Sequence, residues 1–129
     1  MPGACDAVER LCQVMPVALV SASPRILMDA ALTTLPKDFF QFSISADDVT
    51  RTKPFPDPYL EAAKRMGVAT SSCVVFEDSL TGIASAKSAG CAVVAVPHYV
   101  DVTLAPKVRV VTSLEDVTLE FLKKFHSAI

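Results

Sequence analysis

Two adjacent carboxylates, Glu77 and Asp78, end an apolar run in "VVFEDSLTGI", and a hydroxyl, a glycine and a helical pattern follow at once. Half-buried like charges raise each other's pKa unless a cation offsets them. Mg²⁺ takes carboxylate and water oxygens in an octahedral shell, often completed by phosphate. On that reading Asp78 is the direct metal ligand, and Glu77 sits beside it or acts through water. The alternative is a pair of acids favoured by the dipole at the start of the next helix. Ser79 reads as the N-cap of that helix rather than as a reactant.

Two more polar residues match this chemistry. Lys53 lies in "TRTKPFPDPYLEAAKRMGV", where Pro54, Pro56 and Pro58 stiffen the chain. Rigid flanks lower the entropic cost of holding a long cation in place, and its ammonium suits a phosphate or a carboxylate pair. A solvated surface lysine is the plain alternative. Ser21 ends the apolar run of "VALVSAS". With Ala22 and Ser23 at a helix start, it offers donors to an anionic oxygen, and otherwise it is a turn serine. Hydroxyl, cation and acidic pair together form a phosphate-and-Mg²⁺ set. His98 is a looser candidate.

These residues need a scaffold that brings them together. Apolar β-branched runs at Val17–Val20, Phe39–Ile44, Cys73–Phe76, Ala92–Val96 and Val108–Val111 read as strands, the second of them weaker. Helices are expected over Cys5–Gln13, from Ser23-Pro24 to about Leu32, from Asp57 to Gly67, over Leu80–Ser88 and over Val117–Phe125. Asp57 is the expected cap of the third helix, with Pro58 at its first position. Leu119, Leu122 and Phe125 should face inward on the last. Strands alternating with helices imply an α/β fold, a parallel sheet covered on both faces. Ligands of such sheets bind beyond the carboxyl ends of the strands, where Ser21, the Lys53 loop, Glu77 and Asp78 fall.

The 129 residues suit a single domain, with 51% hydrophobic and 20% charged residues. A formal net charge of −2 without a basic stripe argues against nucleic acid as a partner. No apolar run reaches the roughly 20 residues that span a bilayer, so no membrane partner is expected. "MPGACDAVER" lacks the pattern of a secretory signal. Cys5, Cys12, Cys73 and Cys91 form no C-x-x-C pair, so zinc is not expected. Cys73 and Cys91 read as buried small hydrophobes, and reduced thiols point to a cytoplasmic protein.

The segments "VALVSAS", "TRTKPFPDPYLEAAKRMGV" and "CVVFEDSLTGIASAKSAGCAVVAV" resemble motifs two, three and four of the haloacid dehalogenase (HAD) superfamily. The likeness is to its β-phosphoglucomutase-like and sugar-phosphate phosphatase branch, and it runs from Pro2 to about Val111. It implies a Rossmann-like three-layer core over residues 1–129, with no cap domain. Ser21, with Ala22, then corresponds to the phosphate-binding hydroxyl turn. Lys53 corresponds to the catalytic lysine that neutralises the phosphate, and Asp78, supported by Glu77, to the Mg²⁺ ligand. The implied activity is a Mg²⁺-dependent phosphatase acting on a small phosphorylated metabolite through an aspartyl-phosphate.

The chain departs from that family in one respect. It contains no D-x-D, the first family motif, which carries the nucleophile on a central strand. Asp47-Asp48 lack the Gly-Thr that should follow. The resemblance therefore implies a sheet missing its first central strand, between the strands ending in Ser21 and in Glu77-Asp78. Completion by self-association or by a complementary fragment is expected. The alternatives are a phosphomutase, a non-catalytic remnant that binds phosphate, metal or a partner, and a phospho-receiver. Receivers place the acidic pair before the hydroxyl, the reverse of the order here.

Overall fold

The computed structural model describes residues 4–36, 38–96, 107–111 and 117–128, with side chains as far as Phe125. His98, named above, lies outside them. The elements in order are α1 (Ala4–Cys12), β1 (Ala18–Val20), α2 (Arg25–Leu32), β2 (Phe42–Ile44) and α3 (Asp57–Met66). After these come β3 (Val74–Glu77), α4 (Leu80–Ala89), β4 (Ala92–Ala95), β5 (Val108–Val110) and α5 (Leu119–Ala128). Short 3₁₀ turns occupy Ala46–Asp48 and Thr70–Ser72.

Most boundaries follow from local chemistry. Ser79 caps α4, its Oγ accepting the Gly82 amide at 3.1 Å. Gly67 and Gly90 end α3 and α4 in the left-handed conformation, at φ 72° and 90°. Other boundaries move. Asp57 is the first residue of α3 rather than its cap; it turns outward to Arg51, whose Nη2 donates to Oδ1 at 3.1 Å. β2 begins at Phe42, not Phe39. Leu119, expected inside, is exposed, while Leu122 and Phe125 are buried.

All pairings are parallel, and the strands form two sheets: β1–β2, and β3–β4–β5. No ladder joins β1 to β3 among the described residues. The backbone bonds show which edges remain. Gln41 donates to the Val17 carbonyl and Ser21 to that of Ile44, so odd-numbered residues of β1 face β2. Ala92 donates to Cys73 and Val96 to Glu77, so odd-numbered residues of β3 face β4. By the two-residue period of a strand, the backbone groups of Ala18 and Val20, and of Val74 and Phe76, point to the unpaired edges.

Side chains nevertheless knit the two sheets together. On one face Ala7 and Leu11 of α1 and Leu122 and Phe125 of α5 pack on Val94 of β4, with Val17, Val74 and Phe76 against them. On the other, Tyr59 of α3 and Ile83, Ala86 and Ala89 of α4 pack on Val75 and Val93, with Val20 against them. Residues flanking both unpaired edges thus share both cores, giving helix, sheet and helix layers.

Candidate functional site

Lys53, Tyr59 and Glu77 meet at the carboxyl ends of β1 and β3. Glu77 ends β3 and is 4% exposed. Its Oε1 accepts hydrogen bonds from the Lys53 ammonium and the Tyr59 hydroxyl, and its Oε2 accepts a longer one from Ser79 Oγ at 3.4 Å. Lys53 Nζ also donates to the Val20 carbonyl that ends β1, at 3.3 Å, and lies 5.4 Å from the centre of the Tyr59 ring. A lysine ammonium has three donors, so one remains for an anion.

The proline loop holds this lysine in place. The Lys53–Pro54 peptide is cis. Arg51 stacks over the Phe55 ring at 4.6 Å and pairs with Asp57, closing the loop on its outer side. On the inner side the buried Ser85 of α4 donates to the Phe55 carbonyl at 2.5 Å. Thr52 Oγ1, next to Lys53, is buried with no hydrogen-bond partner among the described residues.

Two residues of this site carried no role in the sequence reading. Tyr59 lies in the first turn of α3, and burial, then the neighbouring Glu77 charge, pushes its phenol well above the ordinary range. It is therefore a hydrogen-bond donor at every physiological pH. Gly82 lies in the first turn of α4, where a Cβ would meet Glu77 Oε2 at 2.0 Å. Only glycine lets the helix approach the carboxylate so closely. Both residues sit inside the quoted motifs, Tyr59 two positions after Asp57 and Gly82 three after Ser79.

Asp78 follows β3 and is half-buried. Ser21 follows β1, where its Oγ accepts the Ser23 amide at 3.1 Å; this is the turn geometry of the plain alternative, and the O–H remains a donor. The next residue, Ala22, is exposed. Ser21 and Lys53 thus flank the end of β1, and Glu77 and Asp78 the end of β3.

A second network braces the Ser21 side. Asp47 Oδ2 accepts the first amide of α2, from Arg25, at 2.8 Å, which caps a helix whose Pro24 cannot. The Arg25 guanidinium pairs with Asp48 and donates to Ser43 Oγ at 2.7 Å. Hydrogen bonds from the Ser45 backbone and hydroxyl, then Arg25, hold Asp48 down at about 2. The acids at 47 and 48 are therefore structural.

Among the described residues no three His, Cys, Asp or Glu side chains converge on one point. Mg²⁺ needs only one or two carboxylates, with water and phosphate completing its shell, so the hard oxygens of Asp78 and Glu77 fit it. Glu77 Oε1 is taken by Lys53 and Tyr59. The depression of about 380 Å³ lined by Met15, Phe39 and Phe40 lies by Val17, at the opposite end of β1.

Comparison with known proteins agrees with this architecture. Residues 1–90 match the family model described as haloacid dehalogenase-like hydrolase. Over 125 residues the chain is 37% identical to a bifunctional riboflavin kinase/FMN phosphatase of Arabidopsis thaliana, covering 93% of this chain and 33% of that protein. It is 37% identical over 100 residues to hexitol phosphatase B of Escherichia coli K12, covering 75% and 45%. The crystal structure of CbbY from Rhodobacter sphaeroides in complex with phosphate superposes with a TM-score of 0.83 at 25% identity, over 95% of this chain and 58% of that one. The chain spans under half the length of these two curated relatives. No helix among the described residues is long and apolar enough to cross a membrane.

Proposed function

Because this chain belongs to the haloacid dehalogenase-like hydrolase family, we propose that it forms the phosphate- and Mg²⁺-binding half of a phosphatase acting on small phosphate esters, sugar phosphates foremost. The observation that carries the reading is Lys53, which reaches the ends of both β1 and β3 at once. Its third N–H and the Ser21 hydroxyl are hydrogen-bond donors for a phosphoryl group. Asp78 would hold Mg²⁺ directly, and Glu77 through its second oxygen or a water. When bound, the ion neutralises phosphoryl oxygens. Tyr59 and Gly82 fix Glu77, and through it Lys53. Hexitol phosphatase B, among the relatives, supports the sugar-phosphate substrate class. A cytoplasmic location suits four free thiols.

The chain has no D-x-D, so the nucleophile of this reading comes from outside it. The unpaired edges at Ala18 and Val20, and at Val74 and Phe76, suit a further parallel strand, supplied by a complementary segment or a second copy. A generic aryl phosphate assay tests this. The 129-residue chain alone should show no Mg²⁺-dependent turnover. Turnover that Asp78→Asn abolishes would overturn the external nucleophile. A stable, monodisperse monomer on sizing would count against self-association.

A further inference from the structure

Cys73 and Cys91 are register neighbours. β3 and β4 pair Val74 with Ala92, and the ladder extends one step back, Ala92 donating to the Cys73 carbonyl at 3.1 Å. Cys73 therefore lies opposite Cys91. Both side chains fall on the face that carries Val75 and Val93, and both pack in the core formed with Tyr59, Ile83, Ala86 and Ala89. Paired strands lie about 4.8 Å apart. That spacing is inside the roughly 4.4–6.8 Å between Cα atoms that a disulfide bridges. Both cysteines are free thiols, Cys73 half-buried and Cys91 buried.

We propose that Cys73 and Cys91 are a modification site, closing to a reversible disulfide on exposure to a peroxide. The thiol of Cys73, the more accessible of the two, gives up its proton and its sulfur attacks one oxygen of hydrogen peroxide. The O–O bond breaks, the leaving hydroxide takes up that proton and departs as water, and Cys73 becomes a sulfenic acid. Cys91 sulfur then attacks Cys73 sulfur. The S–O bond breaks, and the Cys91 proton departs with the hydroxide as a second water. Two thiols are oxidised and one peroxide is reduced to two waters. Burial raises both thiols, Cys91 to about 12. Both are therefore protonated at neutral pH, so the reaction is slow and suits a small oxidant.

The pair sits at the amino ends of β3 and β4, whereas Glu77 sits at the carboxyl end of β3. The bridge therefore staples the two strands without touching the phosphate site. A transient redox disulfide of this kind is compatible with a reducing compartment.

The test treats the 129-residue chain with hydrogen peroxide, then alkylates it after denaturation. Expected is a mass lower by two hydrogens, a Cys73–Cys91 cross-linked peptide on non-reducing mapping, and alkylation of Cys5 and Cys12 alone. Dithiothreitol should restore alkylation at all four positions. The cross-link should persist in Cys5→Ser/Cys12→Ser and raise the denaturation midpoint. Cys73 recovered as a sulfinic acid with Cys91 still alkylatable, or bridging only through Cys5 or Cys12, would overturn the proposal. The wild-type peptide map decides the matter even if Cys5→Ser/Cys12→Ser fails to fold.

Discussion

Lys53 and Glu77 form a nearly buried ion pair, with side chains 10% and 5% exposed, that ties together two sheets joined by no ladder among the described residues. The same ammonium reaches the Val20 carbonyl at the end of β1. The pair is thus both a tether and the centre of the candidate site.

Removing one partner leaves the other charge buried and uncompensated. Glu77→Ala should cost about 3–5 kcal/mol, as breaking a buried pair does. Urea denaturation measures it. A loss below about 1 kcal/mol, the value of an exposed pair, would mean that the two groups are solvated in solution.

Gly82→Ala separates two opposing effects. In an exposed helix interior the change would stabilise by up to about 1 kcal/mol. Here the added Cβ meets the Glu77 carboxylate at 2.0 Å, so the expected sign is a destabilisation of about 1–3 kcal/mol. Stabilisation on thermal melting would show that the carboxylate moves aside freely.

Tyr59→Phe keeps the ring under Lys53 and removes one donor to Glu77. A hydrogen bond to a charged group contributes about 1.5–3 kcal/mol. The variant should lose stability in that range and bind phosphate more weakly. Unchanged values in both measurements would remove Tyr59 from the site.

Asp48 governs an acid transition. Its carboxyl titrates at about 2 in the fold against an ordinary value of 3.8. A lowered folded value means that its stabilisation is present above the ordinary value and is lost as pH falls toward 2. The contribution is at most about 2.5 kcal/mol. Asp48→Asn should flatten the stability profile between those two values, as followed by urea midpoints. An unchanged slope would assign the transition elsewhere.

Much of this was legible because it is local. The stops at Gly67 and Gly90, the cap at Ser79, and the alternation of β-branched strands with helices each depend on a few neighbouring residues. Glu77 and Asp78 stood out because charge at a strand end needs an explanation, and Lys53 because Pro54, Pro56 and Pro58 stiffen its loop. The pairings that fix them are not local. Tyr59 meets Glu77 across 18 positions, and Arg25 meets Asp48 across 23. Nothing in the spacing shows that Gly82 lies against a carboxylate rather than ending a turn. Leu119 fitted the apolar stripe of α5, but in the first turn of the helix it is exposed.

The proposed function requires the ends of β1 and β3 to form one phosphate- and Mg²⁺-binding site. Calorimetric titration of inorganic phosphate into the 129-residue chain, with and without Mg²⁺, measures this. Expected are phosphate binding that Mg²⁺ strengthens, and an Asp78→Asn variant that folds normally but loses the Mg²⁺ effect. Phosphate binding indifferent to Mg²⁺ and to Asp78, or no binding by a folded chain, would contradict it.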